Sequence, residues 1–286
     1  NKIVSFSEKK NLFPYQLEAL KLAISCLFMY YEELKDYMPD EELYINEIRK
    51  KKLYDRYLNA GRINKDDLDI RNLKSNDYLI EIYEDYFDLD DNRISFGNLI
   101  NRMSFWMATG SGKSILIIKL MVLLDYLMGN EEIPNNDILF LAPSDDIIDQ
   151  LKALVQEFNE YHLNNRKIEL INLKEFDKSK HNRNKNIQQK IDFGNIRVFY
   201  YRSDNFRDFG IDGDKDAVIN YRNYENDGKW YILLDEAHKG GKESSRQQAY
   251  FSIMARNGFL FNFSASFTDK SDVITTIYDF KLKNFI

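Results

Sequence analysis

The amino-acid sequence predicts an α/β domain whose mostly parallel sheet carries helices on both faces. Three observations point there. From Arg102 onward short apolar runs alternate with stretches of helical length, the glycine-rich turn "ATGSGKS" joins one such run to the next, and later runs such as "WYILLDEAH" close on polar residues. Alternation of this kind builds crossover units, which set strands parallel and cover the sheet with helices. Sheets built this way place their chemistry at the carboxyl ends of the strands.

The elements follow in order. Pro14 suits the first turn of a helix, where its missing N–H costs nothing. Leu17, Leu20, Ile24, Leu27, Tyr31 and Leu34 then recur at a three-then-four spacing, which places them on one helical face. Residues 36–98 turn charged and tyrosine-rich, with helices expected over 41–58 and 77–87 on either side of Gly61, and read as a helical insertion. After it come a strand over 102–107, a helix over 114–128, a strand over 137–141, a helix over 145–161 and a strand over 167–172. The apolar runs in "IRVFYY", "KWYILLDEAH" and "GFLFNFSAS" complete the sheet. Between them "DKSKHNRNKNIQQK", residues 177–190, is polar and basic and reads as a loop. Such a loop is more often solvated than bound to phosphates.

Composition bounds the function. The chain has 286 residues, 44% of them hydrophobic, enough to bury a sizeable core. Its longest apolar run, 115–128, is broken by Lys119 and Asp125 and is too short to span a bilayer, so no membrane association is expected. Cys26 stands alone and the histidines are His162, His181 and His238, which leaves no disulfide framework or zinc cluster and suits a reducing cytoplasm. A net charge of -6 argues against a module that coats nucleic acid by charge alone, although local patches are compatible with it. The chain opens on Asn1 without a basic-then-apolar leader, which reads as a piece of a longer protein with no secretion signal.

Two motifs carry chemistry. In "MATGSGKS" a strand ends at Met107 and a helix opens at Lys113 and Ser114, with Gly110 and Gly112 in the turn between. Glycines let backbone approach a phosphate chain, and successive N–H groups at a helix amino end supply the field an anion needs. Thr109, Gly110, Ser111, Gly112, Lys113 and Ser114 are therefore the candidate nucleotide contacts, with Lys113 on the β and γ phosphates and Ser114 on magnesium. The strict spelling asks for glycine at Met107, so the motif is a variant. In "WYILLDEAH" an apolar strand ends on Asp235 and Glu236. A carboxylate there can hold magnesium while its neighbour orients and deprotonates water, which assigns the metal role to Asp235 and the base role to Glu236. The two motifs are expected to meet across adjoining strands around one triphosphate.

With these motifs in this order, the sequence resembles the superfamily 2 helicases and translocases, the group named for its DEAD or DEAH box. That resemblance implies a RecA-like P-loop domain over 1–286 with 36–98 as an insertion, ATP and Mg2+ as cofactors, and nucleic acid as a partner. "FPYQLEAL" is similar to the motif whose glutamine reads adenine, which puts Gln16 on the base. "LFLAPSDDIIDQL" is similar to the loop that meets the nucleic-acid backbone, with Pro143 and Ser144 in its contact positions. Asp145 and Asp146 follow where a basic residue is frequent. "FNFSASFTD" resembles the motif that couples hydrolysis to domain movement, implying coupling roles for Ser264 and Ser266 with His238 as relay.

Within the superfamily, "NRMSFWMATGSGKS" and "DGKWYILLDEAHKG" look most like the helicase subunits of type III restriction enzymes and related phage-defence proteins. The resemblance runs from Leu12 to Thr268 apart from the insertion. It implies movement along duplex DNA, a second motor domain, and a modification or specificity subunit as partner. No paired-arginine motif and no nuclease motif occurs in this sequence. Since a missing arginine finger costs on the order of 10³ to 10⁵ in turnover, slow hydrolysis by this chain alone is expected. An RNA helicase is an alternative, because either nucleic acid is handled through its backbone. A nucleotide-dependent switch or scaffold whose insertion binds a partner is another.

Overall fold

The computed structural model describes residues 4–31, 42–61, 71–72, 77–90, 93–162, 166–176, 194–208, 218–237, 242–267 and 270–280. Its helices are α1 (Pro14–Tyr30), α2 (Glu42–Asn59), α3 (Asp77–Glu84), α4 (Lys113–Gly129), α5 (Asp145–Tyr161), α6 (Lys242–Met254) and α7 (Lys270–Ile274). The central strands are β3 (Arg102–Met107), β4 (Asp137–Ala142), β5 (Lys167–Asn172), β6 (Asn195–Arg202), β9 (Trp230–Asp235), β10 (Phe259–Ser264) and β11 (Thr276–Phe280). Two short pairs stand apart: β1 (Arg71–Asn72) with β2 (Arg93–Ile94), and β7 (Phe206–Arg207) with β8 (Ile219–Asn220).

The sheet has seven strands in the order β11-β3-β10-β9-β4-β6-β5, and every pairing in it is parallel. This is the RecA-like α/β architecture expected from the alternation of runs. One correction concerns the motifs. The phosphate-turn strand β3 and the acidic strand β9 do not adjoin, because β10 lies between them and pairs with both. Crossover connections decide such an order, and they leave no trace in the periodicity of any single strand.

Alternate residues of each strand feed two cores. Met103, Phe105, Phe140, Val198, Leu233 and Phe261 face one side with α1, α4 and α5. Leu139, Leu141, Phe199, Ile232, Leu234 and Leu260 face the other with α3 and α6. Strands buried on both faces read as continuous apolar runs, as those of β4 and β9 do. The helix α4 is buried nearly all round, from Leu116 to Leu127, which is why its apolar stretch shows no polar face.

The face of α1 is turned by one residue from the expected stripe. Gln16, Ala19, Leu20, Ala23, Cys26, Leu27 and Tyr30 are buried, while Leu17 and Ile24 are only partly so. Small side chains at Ala19, Ala23 and Cys26 let the helix lie close to the sheet. The helix ends at Tyr30, and Leu34 falls outside the described residues. Helices α2 and α3 contribute to both cores: Leu53 and Tyr57 of α2 to the first, and Leu79, Ile82 and Tyr83 of α3 to the second. Among the described residues no helix is long and apolar enough to cross a membrane.

Candidate active site

The phosphate turn closes over the end of β3. Ser111 N donates to Ala108 O at 3.1 Å, and Gly110 and Gly112 adopt φ of 81° and 77°. Such values are strained for any residue with a Cβ. At Gly112 a Cβ would also run into the amide nitrogen of Gln16, whereas at Gly110 nothing lies within 4 Å. Gly112 caps α4, so the unpaired N–H groups of a 17-residue helix open onto the turn. Thr109 and Gly110 are exposed at the tip. Met107, standing where the strict motif has glycine, is fully buried in the core beneath.

Lys113 leaves the first turn of α4 and its Nζ lies 3.1 Å from Glu236 Oε1. Both are largely buried, and Asp235 beside them is 4% exposed. Asp235 ends β9, and its Oδ1 accepts the Glu236 N–H at 2.9 Å. Glu236 adopts φ 56°, a left-handed conformation that costs a residue of this type about 1 to 2 kcal/mol. Strain of that kind gathers at functional sites. The turn is tied to the middle strand as well, since Ala237 N donates to Phe263 O at 3.2 Å.

Magnesium and ATP fit this donor set. Magnesium in phosphate sites takes one or two protein oxygens and fills its octahedron from phosphate and water. The Ser114 hydroxyl and the Asp235 carboxylate are of that kind. No cluster of three or more His, Cys, Asp or Glu suited to a protein-only cage occurs among the described residues. Within the turn, the Ser111 hydroxyl is buried without a hydrogen-bond partner, a polar group of the sort a phosphate oxygen satisfies.

Pro143, Ser144 and Ser264 follow or end strands at the same edge of the sheet. Pro143 and Ser144 follow β4, and Ser144 precedes α5 without a side-chain capping bond. Ser264 ends β10. Its Oγ donates to Ser266 O at 2.7 Å and accepts Ser266 N at 3.0 Å. His238 and residues 177–190 lie outside the described residues. Gln16 does reach the nucleotide turn, but its Nε2 donates to Ser111 O at 3.0 Å and Gly112 O at 3.3 Å. Its Oε1 accepts Phe13 N at 2.9 Å. The amide expected on adenine is therefore engaged by the chain's own backbone.

Three residues escaped the sequence reading. Tyr15 donates through its hydroxyl to Ser111 O at 2.9 Å. Trp106, paired in register with Ser264, donates Nε1–H to Ala265 O at 2.9 Å and packs edge-on against Phe267. Arg202 ends β6 opposite Ala142, where it pairs with Asp145 at 2.9 Å and Asp204 at 2.6 Å. Its charge is thus taken up by two carboxylates beside the loop that follows β4. Only for Tyr15 was there a local signal, its place next to Gln16 in "PYQ"; the others depend on strand register.

Comparison with known proteins bears on this site. Residues 9–269 match the family described as "Type III restriction enzyme, res subunit". Among solved structures, the UvsW helicase from Bacteriophage T4 is similar at 13% identity, over 80% of this chain and 76% of that one, with a TM-score of 0.33. No curated protein matches the chain. With the family match spanning both motifs, the chain belongs to the type III restriction enzyme res-subunit family and is a superfamily 2 helicase-type, ATP-binding motor domain.

Proposed function

We propose that this chain is the ATP-hydrolysing first motor domain of a translocase that moves along duplex DNA in a restriction or phage-defence setting. In this reading residues 1–286 form one domain and 36–98 an insertion within it. The contact between Lys113 and Glu236 carries the proposal, since it brings the phosphate turn and the acidic pair to one place.

The residues then divide the work. The N–H groups of Gly110 to Ser114 and the amino end of α4 hold the β and γ phosphates. Lys113 stabilises the charge that spreads over the transferred phosphoryl group, and Glu236 orients the attacking water and takes its proton. Ser114 and Asp235 would hold magnesium, which would supply charge neutralisation to the phosphates. Ser264, Ser266 and His238 relay the outcome to a second motor domain, which supplies an arginine. Pro143 and Ser144 meet the nucleic-acid backbone.

The test is ATP hydrolysis by the full-length protein with duplex DNA or RNA added. Stimulation by duplex DNA that Lys113→Ala abolishes supports the proposal. Stimulation by RNA alone would move the chain to the RNA helicases, and none by either would favour a switch.

A further inference from the structure

We propose that Tyr15 and Gln16 are positioning residues for the phosphate turn and that the site accepts nucleoside triphosphates whatever their base. This rests on the nucleotide reading above and specifies its substrate class.

A glutamine that reads adenine needs an N–H for N7 and a carbonyl oxygen for the N6 amino group. In Gln16 the amide nitrogen donates toward two carbonyls in succession, Ser111 O and Gly112 O. The oxygen caps α1 through Phe13 N. The side chain is 1% exposed and leaves no edge for a base. Gly112 is the complement of this contact, because any Cβ there would collide with the same nitrogen.

Tyr15 reinforces the grip from the neighbouring position. Its hydroxyl donates to the same Ser111 oxygen, and burial raises its pKa above the ordinary range, which keeps the donor proton in place. Its ring stacks with Phe280, at 4.1 Å and 9°, and with Phe13, at 5.5 Å and 5°. Phe280 in turn accepts Ala108 N through its carbonyl at 3.0 Å, so the stack is anchored at the base of the turn it supports. The outer ring, Phe13, is 60% exposed. An open aromatic face stacks on purines and pyrimidines alike and reads no hydrogen-bonding edge.

The experiment compares KM and kcat for ATP, GTP, CTP and UTP in the full-length protein with magnesium. Wild type is expected to use all four with kcat/KM within about threefold. Gln16→Ala should raise KM for each nucleotide by a common factor of roughly ten, the effect of losing one or two hydrogen bonds. Tyr15→Phe, which keeps the stacked ring and so the fold, should raise it by a smaller common factor.

A wild-type preference for ATP above about tenfold that Gln16→Ala erases would overturn the proposal, because it is the signature of a base reader. Unchanged KM values in both variants would overturn the positioning role. If wild type binds no triphosphate, or Lys113→Ala changes nothing, the nucleotide reading fails and this inference falls with it.

Discussion

The two ends of the sheet each hold a buried ion pair, and they are built in opposite ways. At the amino ends Arg102 meets Asp272 at 3.4 Å, with both side chains almost fully buried. The rest of that guanidinium is also held, Nε by Leu99 O at 2.9 Å and the second terminal nitrogen by Ser252 Oγ at 2.8 Å. Asn262 donates to the same carboxylate at 2.6 Å. At the carboxyl ends Lys113 has Glu236 as its partner, in a turn whose backbone is left-handed at Glu236. A buried network in which every guanidinium nitrogen has a partner fixes structure. A lysine paired with a carboxylate on a strained turn can exchange that partner for a phosphate. Under the proposed function, the contrast separates charges that hold the fold from charges that act.

Breaking the acting pair should give the largest effect on rate and the smallest on folding. Glu236→Gln is expected to lower kcat by about 10² to 10⁴, the usual contribution of a general base. It should leave ATP affinity and the melting temperature near wild type, as read by steady-state kinetics and thermal unfolding. A variant that unfolded instead would erase the distinction between the two ends.

The holding pair should behave the other way. Arg102→Met strands a buried carboxylate, a loss of about 3 to 5 kcal/mol, measurable by denaturant unfolding. KM for ATP should be unchanged wherever the variant stays folded.

A subtler effect comes from Lys50, which lines a cavity of about 550 Å³ between α2, the end of α3 and the residues before β3 and β10. Its Nζ donates to Asn98 O at 3.0 Å and faces the Phe87 ring. Burial brings its pKa down to about 7, with Arg256 and Arg102 adding to the fall and Glu47 opposing it. Because the folded state releases this proton before the unfolded state does, stability rises with pH from about 7 toward the ordinary lysine range. Lys50→Met should flatten that rise. Lys119, brought down to about 8 by burial, should add a smaller total rise of the same sign, beginning near pH 8.

How much of this was legible depends on what each feature demands locally. The phosphate turn needed glycine where φ is positive, and the acidic pair needed the last positions of an apolar strand, so both stood out as spellings. The turned face of α1 did not, because Ala19, Ala23 and Cys26 carry little hydrophobic signal yet set how closely the helix packs. The edge strand β11 was missed because "TIYDF" alternates too briefly to mark a strand. Gln16 was found, but its partners were not: a motif names the residue, and only the fold shows that its amide turns toward backbone.

The strand interposed between the two motifs has a metric consequence. Adjacent strands would hold their termini about 4.8 Å apart, a gap that a lysine and a glutamate close by touching. With β10 between them the interval doubles to about 9.6 Å, and the contact is closed by Lys113 from α4 beyond the turn, at 3.1 Å from Glu236 Oε1. The two motifs therefore flank a third, since the strand between them ends on the serine that begins "SAS".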